Sequence, residues 1–416
     1  VSSSPDSLSL TPTELRSSLS LSAVFAMRML GLFLVLPVFA LEAVRYPGGD
    51  DPARVGLAMG IYGLTQALLQ IPFGMASDRW GRKRVIVVGL VVFAVGSFMA
   101  MAATSLEALT LGRAVQGAGA VSAAVTALLA DQTRDEVRTL AMTLVGVSIA
   151  LVFAISLVLA PWLVEQVGLA GMFALTGVMA LSGIAVVLKV TPPEPLRPEA
   201  PRHGGLLLVL RQPALLRLDA GVFILHAVQL AMWVAIPALL VDAGLARAEH
   251  WKVYLPTVLA SFVVMRATLY PLERRGRLRL VFLASVGIIG LAQLGLLWAV
   301  PAAGQLPSLT ALTWLLFLFF CGFNVLEACQ PSLTSRVAPA HARGAALGVF
   351  NTLQSLGFFV GGAMGGWLMR AQGASAVFLA CAALMLAWLL LAWPMSAPGR
   401  YGPQAASGSP TGEAAS

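Results

Sequence analysis

The sequence predicts an all-α membrane protein of twelve transmembrane helices, arranged as two pseudo-symmetric six-helix bundles. Three observations carry that expectation. Of 416 residues, 58% are apolar and only 11% are charged, against about 25% charged in a soluble domain. No soluble core absorbs so much apolar surface, so lipid is the solvent. Second, runs long enough to cross a hydrocarbon core of ~30 Å, about 20 helical residues each, centre near Leu30, Leu64, Val95, Gly119, Leu151, Val178, Leu230, Leu259, Ile289, Cys321, Gly357 and Met385. Their Gly, Ala, Leu and Val content suits packed helices and lacks the alternation of barrel strands.

Third, the halves repeat. "LPVFALEA" (36–43) closes span one and "IPALLVDA" (236–243) closes span seven. "DRWGRKR" (78–84) follows span two and "ERRGRLR" (273–279) follows span eight. Arg138, Phe153 and "WL" (162–163) reappear as Arg343, Phe358 and "WL" (367–368). A duplicated six-helix unit is typical of transporters that rock two halves about a midplane site.

In chain order, residues 1–19 read as a polar cytoplasmic tail, without the basic and apolar regions of a cleaved signal peptide. Residues 20–190 form the N-terminal bundle. "TPPEPLRPEAPRHGGLLLVLRQPALLR" (191–217) is a cytoplasmic linker rich in Pro and charge. Residues 218–394 form the C-terminal bundle, and the Gly/Ser/Pro-rich 395–416 reads as a disordered cytoplasmic tail. With both termini inside, 19 of the 27 Lys and Arg lie on the inner side and five outside. That bias places a multi-pass protein in the inner (plasma) membrane with both termini cytoplasmic.

The net charge of +8 does not point to nucleic acid, because the basic residues sit in short loops between apolar runs. Cys321, Cys329 and Cys381 lie inside such runs. They read as small hydrophobes with no disulfide, metal or cofactor role. No nucleophile–base pair or P-loop appears, so the chain is not read as an enzyme. The expected partners are a small-molecule substrate, protons and the bilayer, with the protein a monomer.

Charged and titratable residues within spans are costly unless buried in protein or water. Arg28, Arg113 and Arg266 lie within spans. Arg28 is a candidate for binding an anionic group of the substrate; pairing with a carboxylate is the structural alternative. Glu327 reads as the one carboxylate well inside a span, and His226 as the one intramembrane histidine. They are the proton-carrier candidates, Glu327 first, with Arg266 a candidate partner of Glu327. A lone histidine is also often a packing residue. Tyr62, Gln66 and Gln70 share one face of span two at i, i+4 and i+8. With Gln229 and Trp233 in span seven, Asn324 in span ten, and Asn351 and Gln354 in span eleven, they form the expected substrate cavity. The plainer reading of each is a helix-packing hydrogen bond.

"GMASDRWGRKR" (74–84) sets five charges and two glycines between two uncharged runs. It resembles the signature loop of the major facilitator superfamily, G-x-x-x-D-R-x-G-R-[RK]. "LGRAVQGAGA" (111–120) resembles the R-x-x-Q-G motif of that family's drug:proton antiporter branch. The branch's span-five motif expects several glycines before a Gly-Pro pair, and here only Gly146 and Pro161 hold.

The resemblance implies the fold of that family and a conformational switch built from Gly74, Asp78, Arg79, Gly81, Arg82, Asp131 and Arg138. The glycines would allow close helix approach and a tight turn. Asp78 would face the N-terminus of span eleven near Gly344 and hold the inner gate shut in one state. It also implies a proton-coupling role for Arg113, for which helix-to-helix hydrogen bonding is the structural alternative. The expected function is proton-coupled efflux of a small amphipathic compound by alternating access. The alternatives are proton-coupled uptake of a metabolite and a non-transporting membrane sensor or scaffold.

Overall fold

The computed structural model describes residues 9–195, 205–300, 305–339 and 342–395. Among them are thirteen α-helices and no strand. The first half holds α1 (Pro12–Ala43), α2 (Pro52–Trp80), α3 (Arg82–Met101), α4 (Leu106–Ala118), α5 (Ser122–Asp131) and α6 (Asp135–Lys189). The short α7 (Gly205–Arg211) stands between the halves. The second half holds α8 (Pro213–Asp242), α9 (Trp251–Arg274), α10 (Leu278–Ala299), α11 (Leu309–Val337), α12 (Arg343–Gln372) and α13 (Ala374–Ala392).

Eleven helices are long and apolar enough to cross a membrane, counting α4 and α5 as one. The long α6 contains the twelfth crossing: at Gly168 the backbone takes φ 66° and the helix turns back. Positive φ suits glycine because it has no Cβ to clash. Thus the expected spans five and six are two helices that meet at the Gly168 corner.

The ends follow local rules. The Thr11 hydroxyl accepts the Glu14 N–H while the Glu14 carboxylate accepts the Thr11 N–H. This reciprocal cap, worth about 1 kcal/mol, starts α1 at Pro12, inside the stretch expected as a tail. Likewise α7 and the first turn of α8 fall inside the expected linker, since Pro213 is well placed at a helix start. Residues 1–8 of the tail, 196–204 of the linker and 396–416 of the C-terminal tail lie outside the described residues.

Within the first half α1 packs on α6, and α3 on α4 and α6; within the second, α10 packs on α11 and α13, and α8 on α12. The main seam between halves is α2 against α12. A Cβ at Gly60 would lie 2.7 Å from the Phe359 carbonyl oxygen, and one at Gly56 would collide with the Gly362 carbonyl. Such contact needs glycine, because only a bare Cα lets two backbones come this close.

Let the motif end be the end bearing 74–84, and the far end the opposite one. The seam occupies the far-end part of α2. There Arg370 sits 3.0 Å from Asp51, and Arg247 sits 3.5 Å from Glu42, each pair crossing between halves. At the motif end α12 begins differently. Around Gly344 and Gly348 nothing lies within 4 Å of where a Cβ would stand.

Candidate functional site

Three side chains of the second half converge between the bundles. Periodicity puts His226 on α8, Glu327 on α11 and Gln354 on α12. The His226 Nε2 lies 3.3 Å from a Glu327 oxygen and 2.8 Å from the Gln354 amide nitrogen. That amide nitrogen is also 3.5 Å from the other Glu327 oxygen. The His226 Nδ1 is 2.8 Å from the Val222 carbonyl. A carbonyl only accepts, so Nδ1 carries the hydrogen and Nε2 is the atom free to gain or lose a proton. His226 is buried, whereas the Glu327 side chain keeps 35% of its exposure. The acid is therefore partly accessible while the imidazole behind it is not.

Aromatic rings join this cluster to the first half. Phe33 of α1 packs edge-on against Phe153 of α6 at 5.1 Å, and Phe153 meets Phe320 and Phe323 of α11 at 6.2 and 5.9 Å. Phe323 and Phe358 in turn flank the His226 ring at 6.1 and 4.9 Å. These contacts surround the His226 imidazole with apolar surface, which strengthens its electrostatic interactions.

A second cluster lies within the first half. Arg28 donates to the Ser122 hydroxyl at 2.8 Å and to the Gln66 amide oxygen at 2.7 Å. Arg113 donates to Gln116 at 2.9 Å and to the Met59 carbonyl at 3.3 Å. Both guanidinium carbons lie near the Tyr62 ring, 5.9 and 5.1 Å from its centroid. Both arginines are buried and each Nε lacks a partner. The carboxylate partner considered for Arg28 is not what the structure has; neutral oxygens and a ring face hold it instead. Desolvating a charge costs several kcal/mol, and neutral hydrogen bonds with ~1–2 kcal/mol of cation–π attraction offset only part. Gln116 extends the network to Ser97 at 2.9 Å, so Arg113 also ties α4 to α3.

In the motif loop, Arg82 bridges Asp78 at 2.7 Å and Asp131 at 3.1 Å. Arg138 instead donates to the Ala130 and Thr133 carbonyls at the end of α5. Arg79 is exposed. Gly81 takes φ 98° and makes the expected tight turn. Gly74 corrects its expectation, because the nearest atom to a Cβ there is Ala123 Cβ at 3.6 Å, an ordinary contact.

The remaining cavity candidates differ. Asn324 donates to the Ser261 hydroxyl at 2.7 Å. Asn351 is half-buried on the α12 face. Gln70 and Gln229 are buried with side-chain atoms lacking partners. Trp233 is fully buried, edge-on to Tyr254 at 5.3 Å, and lines no open space in this state. Arg266 is exposed on α9, and His226 and Gln354 stand beside Glu327.

Sequence reasoning missed two things. The Phe33–Phe153–Phe323 bridge is invisible one residue at a time, although the repeat pairs Phe153 with Phe358. Asp219 was passed over because it stands beside the assumed linker boundary. It is in fact buried in α8 with neither oxygen hydrogen-bonded, so Glu327 is not alone among acids inside spans. No group of three or more metal-ligating side chains occurs among the described residues.

Comparison with known proteins agrees with this architecture. The sequence model of the Major Facilitator Superfamily matches residues 21–362 and 272–414. The inner membrane transport protein YajR of Escherichia coli (strain K12) is 42% identical over 393 residues, 94% of this chain and 85% of that one. The multidrug resistance protein MdtH of Aeromonas hydrophila is 30% identical over 355 residues, 82% and 84% of the two chains. Among solved structures, the human organic anion transporter MFSD10 superposes with TM-score 0.69 at 19% identity, covering 92% of this chain and all of that one. An auto-inhibited peptide transporter of the POT family superposes with TM-score 0.73 at 15% identity, covering 93% and 99%.

Proposed function

The chain belongs to the major facilitator superfamily, and from that premise we propose that it exports a small amphipathic compound bearing an anionic group, in exchange for protons. The observation that carries this reading is the His226–Glu327–Gln354 cluster: an acid and an imidazole 3.3 Å apart on facing helices, at the junction of the halves.

The proton is taken up at His226 Nε2 or on the Glu327 carboxylate. With Nε2 bare, the Gln354 amide N–H donates to it. With Nε2 protonated, its N–H turns to Glu327, and the amide must rotate or withdraw. Proton arrival thus changes which of α11 and α12 is tied to α8. A ligand shifts an equilibrium only through its differential affinity for the two states, and this exchange of partners supplies such a difference.

The charge bias of the loops supports a cytoplasmic motif end, and the uncrowded start of α12 at Gly344 and Gly348, set against the closed far-end seam, supports an inward-open reading of this state. The outward closure rests on the α2–α12 seam and the two inter-half ion pairs. In the opposite state Asp78 leaves its present geometry and faces the start of α12, where the helix dipole favours a carboxylate by ~0.3–1 kcal/mol. Arg28 supplies the anion-binding charge.

Proteoliposomes with an imposed pH gradient and an internal pH dye test the reading. A panel of amphipathic carboxylates and sulfonates should include compounds that collapse the gradient only when the protein is present. Substrate-independent silence across pH and panel would favour the sensor alternative. Collapse driven by co-directional substrate movement would favour uptake.

A further inference from the structure

At the motif end of the first half, the start of α1, the end of α6 and the segment that follows enclose a recess of about 540 Å³. Arg16, Lys83 and Lys189 form its charged wall. Backbone carbonyls fix two of them. Arg16 donates to the Val190 and Lys189 carbonyls at 2.7 and 3.4 Å, and Lys83 to the Thr191 carbonyl at 2.6 Å. The Lys189 side chain is exposed, with no hydrogen-bond or ion-pair partner among the described residues. Carbonyls orient a cation without cancelling its charge.

The nearby acids are spent elsewhere or outnumbered. Glu14 is held by Arg134 at 2.9 and 3.1 Å. Glu194 accepts the N–H groups of Arg82 and Lys83 at the start of α3, leaving one carboxylate against three cations. Beside the recess, Leu15 and Leu19 of α1 and Leu188 of α6 are exposed by 42%, 54% and 61%. The neighbouring α3 packs on α2, α4, α5 and α6, all of its own half, so this corner lies on the outer flank.

We infer that this recess binds the headgroup of an anionic phospholipid, with the phosphodiester among Arg16, Lys83 and Lys189 and the acyl chains along Leu15, Leu19 and Leu188. A basic pocket at the headgroup level attracts anionic lipid through each cation near the surface. A soluble phosphate would match the cations and leave the leucines unexplained. The site adjoins Gly81–Lys83, so an occupied recess also braces the motif loop.

Native mass spectrometry of the full chain tests this, with phosphatidylglycerol and phosphatidylcholine of identical chains as competing ligands. Wild type should retain phosphatidylglycerol preferentially. Arg16→Gln with Lys189→Gln should lose that preference by roughly fivefold per cation removed. Arg16→Lys with Lys189→Arg should keep it, as should Lys252→Gln at the far end. If the double variant is not monodisperse, Lys189→Gln alone serves, because that side chain holds no structural contact. Equal phosphatidylglycerol preference in wild type and the charge-removed variants overturns the proposal. So does saturable stabilisation of wild type by glycerol 3-phosphate that Lys189→Gln abolishes, which would assign the recess to a soluble phosphate.

Discussion

Arg370 of the second half lies 3.0 Å from the Asp51 carboxylate of the first, across the far end of the molecule. Asp51 also caps α2 by accepting the Ala53 N–H at 2.9 Å, so one residue both starts a helix and latches the halves. The arginine is 64% exposed and the aspartate 20%. An exposed pair contributes ~0–1 kcal/mol, and the Glu42–Arg247 pair adds a comparable amount at best. Arg370→Gln alone should therefore shift the gate by no more than about fivefold. Arg370→Gln with Arg247→Gln should separate the far ends visibly in electron–electron resonance distances between labelled halves. Raised salt should weaken the wild-type latch in the same direction.

The glycine seam beneath the latch is the stronger restraint. Gly60→Val would push a side chain into the Phe359 carbonyl, where even a Cβ comes to 2.7 Å. Overpacking of this kind costs ~1–3 kcal/mol, so the variant should favour a state with the far end parted and melt at lower temperature. Gly348→Ala is the matched control, since nothing lies within 4 Å of its Cβ position. It should leave this state unchanged. A Gly348→Ala variant as perturbed as Gly60→Val would refute the asymmetry between the two ends.

Why the seam escaped sequence reading is physical. Glycines 56, 60 and 63 follow helical spacing, but spacing alone does not say which neighbour they face. Gly74, one of the motif glycines, turned out to have room for a Cβ, and Gly56 did not. The twelve spans and the six-plus-six division were legible because lipid imposes length and hydropathy on every crossing. The candidate site was partly legible for the same reason: Arg28, His226 and Glu327 stand out as candidates wherever charge is expensive. Their partners were not. Nothing in the sequence distinguishes Ser122 and Gln66 from a carboxylate as the company of Arg28, and Asp219 was hidden by a boundary drawn in the wrong turn.

Arg28 offers a test that separates binding from architecture. An arginine paired with a buried acid would leave an uncompensated charge when removed, costing ~3–5 kcal/mol. Arg28 has Ser122 and Gln66 instead. Arg28→Met should therefore leave the melting temperature equal or higher, because a costly buried charge is exchanged for an apolar side chain of similar length. It should at the same time remove binding of anionic compounds. Arg28→Lys should restore part of the binding through charge, without the planar guanidinium geometry. A large drop in stability for Arg28→Met, with substrate binding retained, would make the residue structural.

The proposed proton coupling is tested most directly at Glu327. Its partly exposed carboxylate lies 3.3 Å from Nε2 of the buried imidazole. Glu327→Gln preserves size and hydrogen bonding but fixes a neutral group. The Nε2–H of a protonated His226 then loses its carboxylate acceptor. The variant should bind substrate, transport it weakly and show a flattened dependence on pH. Glu327→Asp should retain a pH dependence, shifted because the shorter side chain lengthens the contact. If the acid were merely structural, Glu327→Gln would lower the melting temperature while transport kept its wild-type pH profile. Transport across a pH series, measured beside melting temperature in the same preparations, separates the two outcomes. A normal profile in Glu327→Gln would move the carrier role to His226, where His226→Gln should then abolish the profile that Glu327→Gln had left intact.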